Sequence, residues 1–307
     1  MKNITHSLIN RGLAKVLPEK PASGQEEADR VQAPAPVLVS GQPETPVVLA
    51  SPHSGRFYPE LFVQESRQPL NILRSGEDSY VDALAAQAHA AGPMLVHATF
   101  PRVFCDVNRA AWDLDPRMFS TPVPAFVRAT HRGLAGLGSV PRVVADNRQI
   151  YRSRMPFMEA ALRVRDYWMP YHAALAGTLR QTQERHGLCL LLDLHSMPDA
   201  PEAGNPDFVL GDVYGASCAH VLVQTAEDAL QDLGFRTSRN TPYAGGYITQ
   251  HYGRPRDGVH ALQIEMRRSL YMDEQTRQKH AGFSRLSDAL AQVAERLVST
   301  LRTFETL

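Results

Sequence analysis

The chain has no surplus of charge of either sign. Lysine and arginine together number 32, as do aspartate and glutamate, in 307 residues. No basic stripe interrupts that balance, and the electrostatic footprint by which a protein holds nucleic acid is missing. Long apolar runs are missing too: no stretch of about 18 residues is apolar throughout, so no membrane span is expected. Residues 4–16 do not form the apolar core of a secretory signal, because Asn10, Arg11 and Lys15 break them. Cysteine is scarce. Cys105, Cys189 and Cys218 have no metal-type spacing, and the first two lie in apolar runs, which predicts buried free thiols rather than bridges. Together these absences fit a reducing cytoplasm.

With 43% hydrophobic and 21% charged residues, the chain can bury one large core or two modest ones. Residues 1–34 are polar and rich in Ala, Glu and Pro, which predicts a poorly ordered N-terminal extension ahead of a single domain over 35–307. That domain is organised around LCLLLDLHSMP, residues 188–198. The apolar run between Gly187 and Pro198 predicts a strand buried on both faces. Its end should emerge at the carboxyl edge of a sheet, where open α/β sheets hold their ligands. His195 there is a candidate metal ligand, with Asp193 either supporting it or capping the strand. The bland alternative is an imidazole hydrogen-bonded to nearby backbone.

The same logic recurs upstream. Residues 37–40 and 46–50 predict two strands across a Gly41–Pro43 turn, and the second runs into SPHSGRFYPE, which places His53 just past a strand end. Residues 76–92 have a helical period, with a Ser79/Asp82 pair resembling a capping box. Glu77 and Asp78 stand at that entrance, where acids complement a helix dipole or supply a carboxylate ligand beside two histidines. Residues 94–100 and 102–108 alternate like strands. The second leads into Asn108 and Arg109, a fork suited to a carboxylate, or to a structural ion pair with Asp106.

Residues 111–150 are rich in Pro, Gly and Arg and predict a long excursion over the sheet that could serve as a lid. A helical stretch follows to His186, with Pro170 predicting a kink or a break. Tyr151, Arg152 and Arg154 stand at its entrance, facing either a site or solvent. Further on come a strand at 207–212, a helix at 217–234 and a strand at 235–240. The glycine-punctuated loop 240–258 carries Tyr247, Arg254 and Arg256. Such residues suit recognition of a small anion, though by themselves they read first as an ordinary surface loop. Strand 259–267 sets Leu262, Ile264 and Met266 on one face and Gln263 and Glu265 on the other. A carboxylate on an interior strand is costly without a partner, which makes Glu265 a candidate general base, or else half of a salt bridge to Arg267 or Arg268. A C-terminal amphipathic helix presents Leu286, Leu290, Val293 and Leu297. The alternation of strands and helices predicts an α/β fold with helices on both faces of a mixed sheet.

Taken in order, SPHSGRFYPE, EDSYVD, FPRVFCDVNR, LLDLHSMP, the GG…YG…P loop and LQIEMRRSLYMDE resemble the N-formylglutamate amidohydrolase family, over roughly residues 45–275. The resemblance implies a three-layer αβα sandwich with a mixed, mostly parallel sheet, of the phosphorylase/hydrolase-like kind, and hydrolysis of N-formyl-L-glutamate to formate and L-glutamate, a late step of bacterial histidine breakdown. It implies Zn2+ held by His53, His195 and an acid of the EDSYVD segment, Asp78 in preference to Glu77. It further implies Glu265 as the catalytic glutamate and Asn108 with Arg109 on a substrate carboxylate. Arg254 or Arg268 would grip the second carboxylate, with Tyr247 beside the substrate. One departure stands out: carboxypeptidase-like enzymes take His and Glu from one His-x-x-Glu turn, whereas residue 56 here is Arg. The expected partner is a small acidic molecule, with no nucleic acid and no membrane. Two other readings remain: the same chemistry on another N-acyl amino acid or a cell-wall peptide, and a metal-free protein that binds small acidic ligands.

Overall fold

The computed structural model describes residues 34–199 and 201–304. The expected N-terminal extension lies outside them, apart from Pro34. Contacts divide the chain into two compact units. Of the described residues, one comprises 34–36, Arg56–Glu77 and Thr99–Tyr171; the other comprises Val37–Gly55, Asp78–Ala98 and those from His172 on.

Strands in chain order are β1 (Val37–Ser40), β2 (Val47–Ser51), β3 (Met94–Ala98), β4 (Val143–Val144), β5 (Arg148–Gln149), β6 (Cys189–Met197), β7 (Phe208–Gly211), β8 (Thr237–Arg239) and β9 (Val259–Arg267). Seven of them form the sheet of the second unit, in the order β1-β3-β2-β6-β9-β7-β8. Pairs β3/β2, β2/β6, β6/β9 and β7/β8 are parallel, and β1/β3 and β9/β7 are antiparallel. The expected mixed, mostly parallel α/β sheet is therefore present. Its origin differs from the hairpins predicted from sequence. β1 and β2 do not pair, because β3 lies between them. Alternation marks a strand but says nothing of its neighbour.

Every residue of β2 and β6 is buried, as central strands flanked on both faces require. Alternation along the strands sends Val47, Leu49, Leu190, Leu192, Leu194, Leu262 and Ile264 into one apolar cluster. That cluster is closed by helix His220–Asp232, through Leu222, Val223, Ala226 and Leu230, and by helix Gly282–Phe304, through the predicted Leu286, Leu290, Val293 and Leu297. The other face of β6 and β9 carries Asp193, His195, Gln263 and Glu265 and packs against helix Tyr247–Tyr252.

Three local expectations change. Residues 76–92 form two short helices, Val81–Leu84 and Ala86–Ala90, rather than one. Tyr80, not Ser79, is the residue that caps the first, with φ 66° and no capping bond from its side chain. Residues 102–108 are turns, not a strand: the amides of Phe104 and Cys105 both bond back to the carbonyl of Pro101, and Val103, Phe104, Cys105 and Val107 are all buried without alternation. Loop 240–258 winds into a six-residue helix, Tyr247–Tyr252.

Pro170 acts as the sequence requires, by a different device. Lacking an N–H, it cannot bond to the residue four before it. The chain answers with a π-helical turn, Val164–Trp168, that joins helix Phe157–Arg163 to helix Met169–His186 without a break. In the first unit, residues 111–150 carry a core of their own. Leu114, Met118, Phe119, Val140, Val143 and Ile150 are buried, and β4 pairs antiparallel with β5.

Candidate metal centre and active site

Because β2, β6 and β9 are parallel neighbours, their carboxyl ends reach one edge of the sheet. The chain leaves β2 at Ser51 and turns through His53. His195 lies near the end of β6, and its register partner on β9 is Glu265. Asp78 joins them through its backbone: its N–H donates to the carbonyl of His53 at 3.0 Å.

The three side chains meet. His53 Nδ1 is 3.4 Å and His195 Nδ1 3.0 Å from the same oxygen, Asp78 Oδ2. The imidazole ring centroids are 4.8 Å apart. All three residues are buried, and one ligand atom from each lies within 4.8 Å of the others. Donors bound to a tetrahedral zinc at about 2.0–2.2 Å stand roughly 3.3–3.5 Å apart. Two imidazoles and a carboxylate at these spacings are groups arranged to share a cation, and the donor set fits zinc.

His195 and Asp78 have further contacts behind them. His195 Nε2 lies 3.1 Å from Asp193 Oδ1. A buried carboxylate thus stands behind the ring while Nδ1 faces Asp78, an arrangement like that found behind metal-bound imidazoles. Asp193 Oδ2 accepts in turn from Thr249 Oγ1 at 3.2 Å. On the far side of Asp78, Oδ1 accepts from Arg268 Nη2 at 3.1 Å and from Ser196 Oγ at 3.4 Å. Burial opposes ionisation of Asp78, but the hydrogen bonds and charges of His195 and His53 prevail and hold its carboxyl well below the usual range. Burial likewise disfavours a charged His195, yet Asp193, Asp78 and Glu265 outweigh it and raise its imidazole well above the ordinary value. Both shifts have one origin, the close approach of buried carboxylates and imidazoles.

Glu265 is set by a second chain of contacts. Gln263, two residues earlier and on the same face of β9, donates Nε2–H to Glu265 Oε1 at 3.0 Å. Its own Oε1 accepts from the Gly246 amide at 2.7 Å. Gly211, which pairs with Gln263 across β7 and β9, makes this possible. A Cβ on Gly211 would stand 2.8 Å from the backbone of Ala244 and 2.9 Å from that of Tyr243, so only glycine lets the loop lie against the sheet here.

Other contacts hold the remaining candidates. Glu77 belongs to the first unit, where it pairs with Arg74 Nε at 2.9 Å and accepts from the Tyr58 hydroxyl at 2.9 Å. Asn108 and Arg109 also belong to that unit. The Asn108 amide bonds to Asp106 Oδ1 at 2.9 Å, and the Arg109 guanidinium donates to the carbonyls of Leu137 (3.0 Å) and Asn108 (3.1 Å). Asp106 forms its ion pair with Arg102. Burial lowers the pKa of Arg109 from its usual value. Arg254 is bridged to Val259, at the opening of β9. At about 3.3 Å per residue, that is roughly 20 Å along the strand from Glu265. Arg268 reaches the centre, but its guanidinium is bonded to Asp78 and Ser196. Tyr247 opens its helix next to Gly246. Its ring stacks on His251 at 5.0 Å, and burial pushes its phenol up to about 12. Sequence reasoning passed over Thr249, Ser196 and Gln263. Only Gln263 carried a signal, its two-residue spacing from Glu265.

With the geometry in view, the comparisons with known proteins are specific. A family model described as N-formylglutamate amidohydrolase matches residues 45–272. N-formylglutamate deformylase of Pseudomonas aeruginosa is 30% identical over 276 residues, 86% of this chain and 96% of the relative. The Pseudomonas putida protein of the same name is 29% identical over 249 residues, 78% and 86% of the two chains. A crystal structure of N-formylglutamate amidohydrolase from Ralstonia eutropha JMP134 superposes with a TM-score of 0.83 at 35% identity, covering 88% of this chain and 99% of the other.

Proposed function

The chain belongs to the N-formylglutamate amidohydrolase family, and from that premise we propose that it hydrolyses N-formyl-L-glutamate to formate and L-glutamate with zinc as its metal. The observation that carries the reading is the convergence of buried His53, Asp78 and His195, with Glu265 in register beside His195. These three residues would hold zinc, which when bound supplies a Lewis acid that brings the pKa of water down towards about 7.

The chain's own groups do the rest. Glu265, held by Gln263, takes the proton of the water that attacks the formyl carbon. As the C–N bond breaks, the same carboxyl returns that proton to the leaving nitrogen. Asp193 keeps the His195 ring oriented, and Arg268 keeps Asp78 oriented. Arg268 thus acts as a support for a metal ligand, not as the second carboxylate clamp. For the substrate carboxylate, the family resemblance points to Asn108 and Arg109. A place in histidine breakdown and a cytoplasmic setting belong to the same proposal. Among the described residues, no helix is long and apolar enough to cross a membrane.

A panel of N-formyl, N-acetyl and N-succinyl amino acids, assayed for released acid with the zinc-loaded protein, tests the substrate. Formate release from N-formyl-L-glutamate should exceed turnover of every other member. Preference for a different acyl group, or for a neutral amino acid, would place the chemistry on another N-acyl substrate.

A further inference from the structure

The first unit contains a cavity of about 390 Å³ whose lining includes Arg67, Arg117, Arg142, Arg152 and Arg154, together with Tyr151. None of its lining residues is acidic. Guanidinium groups stay charged at any working pH, and like charges gathered round one space repel unless an anion stands among them. Protein supplies that anion only in part. Buried Asp115 accepts from Arg117 Nε at 2.9 Å and from Arg142 Nε at 2.8 Å. Among the described residues, the guanidiniums of Arg67, Arg152 and Arg154 make no hydrogen bond or ion pair. Two arginines of the cluster are thus fixed from beneath by a buried carboxylate, and three keep every donor available. The Tyr151 hydroxyl is anchored by Arg163 Nη1 at 2.7 Å, which fixes the lining tyrosine as well.

We propose that this cavity is a binding site for a small polyanion, a molecule bearing two or more carboxylate or phosphate groups. The planar guanidinium fork matches both groups and grips either in bidentate fashion. The volume lies in the range of small-molecule sites. Some exposed arginines elsewhere in the molecule pair with an acid, as Arg165 does with Asp166 and Arg296 with Asp232. Arg67, Arg152 and Arg154 instead share one concavity without one. The assignment stands independently of the amide hydrolysis proposed above.

Calorimetric titration of the full-length, metal-loaded protein tests it, with glutarate as the dicarboxylate probe and glycerol 1,3-bisphosphate as the phosphate probe. Saturable binding of at least one probe is expected, and which of them binds identifies the group the cavity prefers. Arg152→Gln and Arg154→Gln should each weaken that binding by about tenfold, the scale of one lost charge-assisted contact. Arg152→Lys should restore part of it, which a general loss of folding would not. Metal content should be the same in all variants. No binding of either probe overturns the proposal. So does binding that survives both glutamine substitutions, since the anion would then sit elsewhere, at the metal for instance.

Discussion

Gln263 donates one hydrogen bond to Glu265 and accepts another from the Gly246 amide, so the orientation of Glu265 is fixed from outside its own strand. Gln263→Leu removes the donor and leaves the helix entrance at Gly246 without its acceptor. A fall in kcat of about 10–100-fold is expected, the kinetic equivalent of roughly 1–3 kcal/mol for a lost bond to a charged group. Zinc content and KM should change little. Steady-state kinetics with metal analysis of the same sample reads all three, and an unchanged kcat would remove Gln263 from the account.

Glu265→Gln keeps the shape of the side chain and removes its ability to take a proton. Turnover should fall by about 10²–10⁴-fold, the usual contribution of a general base. Zinc binding should persist, because the groups that would hold it are His53, Asp78 and His195. Formate release near the wild-type rate in this variant would show that another group accepts the proton.

Arg268 distinguishes two roles cleanly. Its guanidinium lies 3.1 Å from Asp78 Oδ1, where it would brace a ligand of the proposed zinc. Arg268→Met should weaken zinc affinity by about 10–100-fold, the range for groups behind metal ligands. Competition against a chromophoric chelator measures this. If affinity is unchanged and KM alone rises, Arg268 grips the substrate instead.

The first unit has an electrostatic anchor of its own in Asp115. Burial favours its neutral form, but the hydrogen bonds from Arg117 and Arg142 prevail and lower its pKa below the usual 3.8. A depressed carboxyl stabilises the folded state above its unfolded pKa, and that contribution fades as pH falls through the folded value. Asp115→Asn should therefore cost about 1–3 kcal/mol near neutrality. The gap from wild type should begin to narrow once pH drops below about 4. Denaturant melts at several pH values check both. A gap independent of pH would mean that the cost comes from packing alone.

Much of this centre was legible before any coordinates. A buried strand running into an imidazole and then a breaking turn occurs at both His53 and His195, and the sheet brings the two together. Glu265 was marked by the cost of a carboxylate on an interior strand. The choice between Glu77 and Asp78 could not be made from residue chemistry, because neighbours along a chain point apart. In the structure Glu77 is engaged by Tyr58 and by its neighbour Arg74, while Asp78 faces the histidines. Arg254 looked suitable by composition, yet its bridge to Val259 puts it beside the opposite end of β9. The hairpin expected from β1 and β2 failed because the partner of each is β3, more than forty residues on. Thr249 acts through a helix that glycine-rich sequence disguised as a loop.

The most direct test of the central claim is formate release from N-formyl-L-glutamate, followed on one preparation through chelation and reloading. The account predicts about one tightly held zinc per chain, loss of turnover when it is stripped, and recovery when zinc is returned. His195→Ala should neither hold the metal nor recover. Undiminished turnover in the stripped protein, or full zinc binding by His195→Ala, would contradict it.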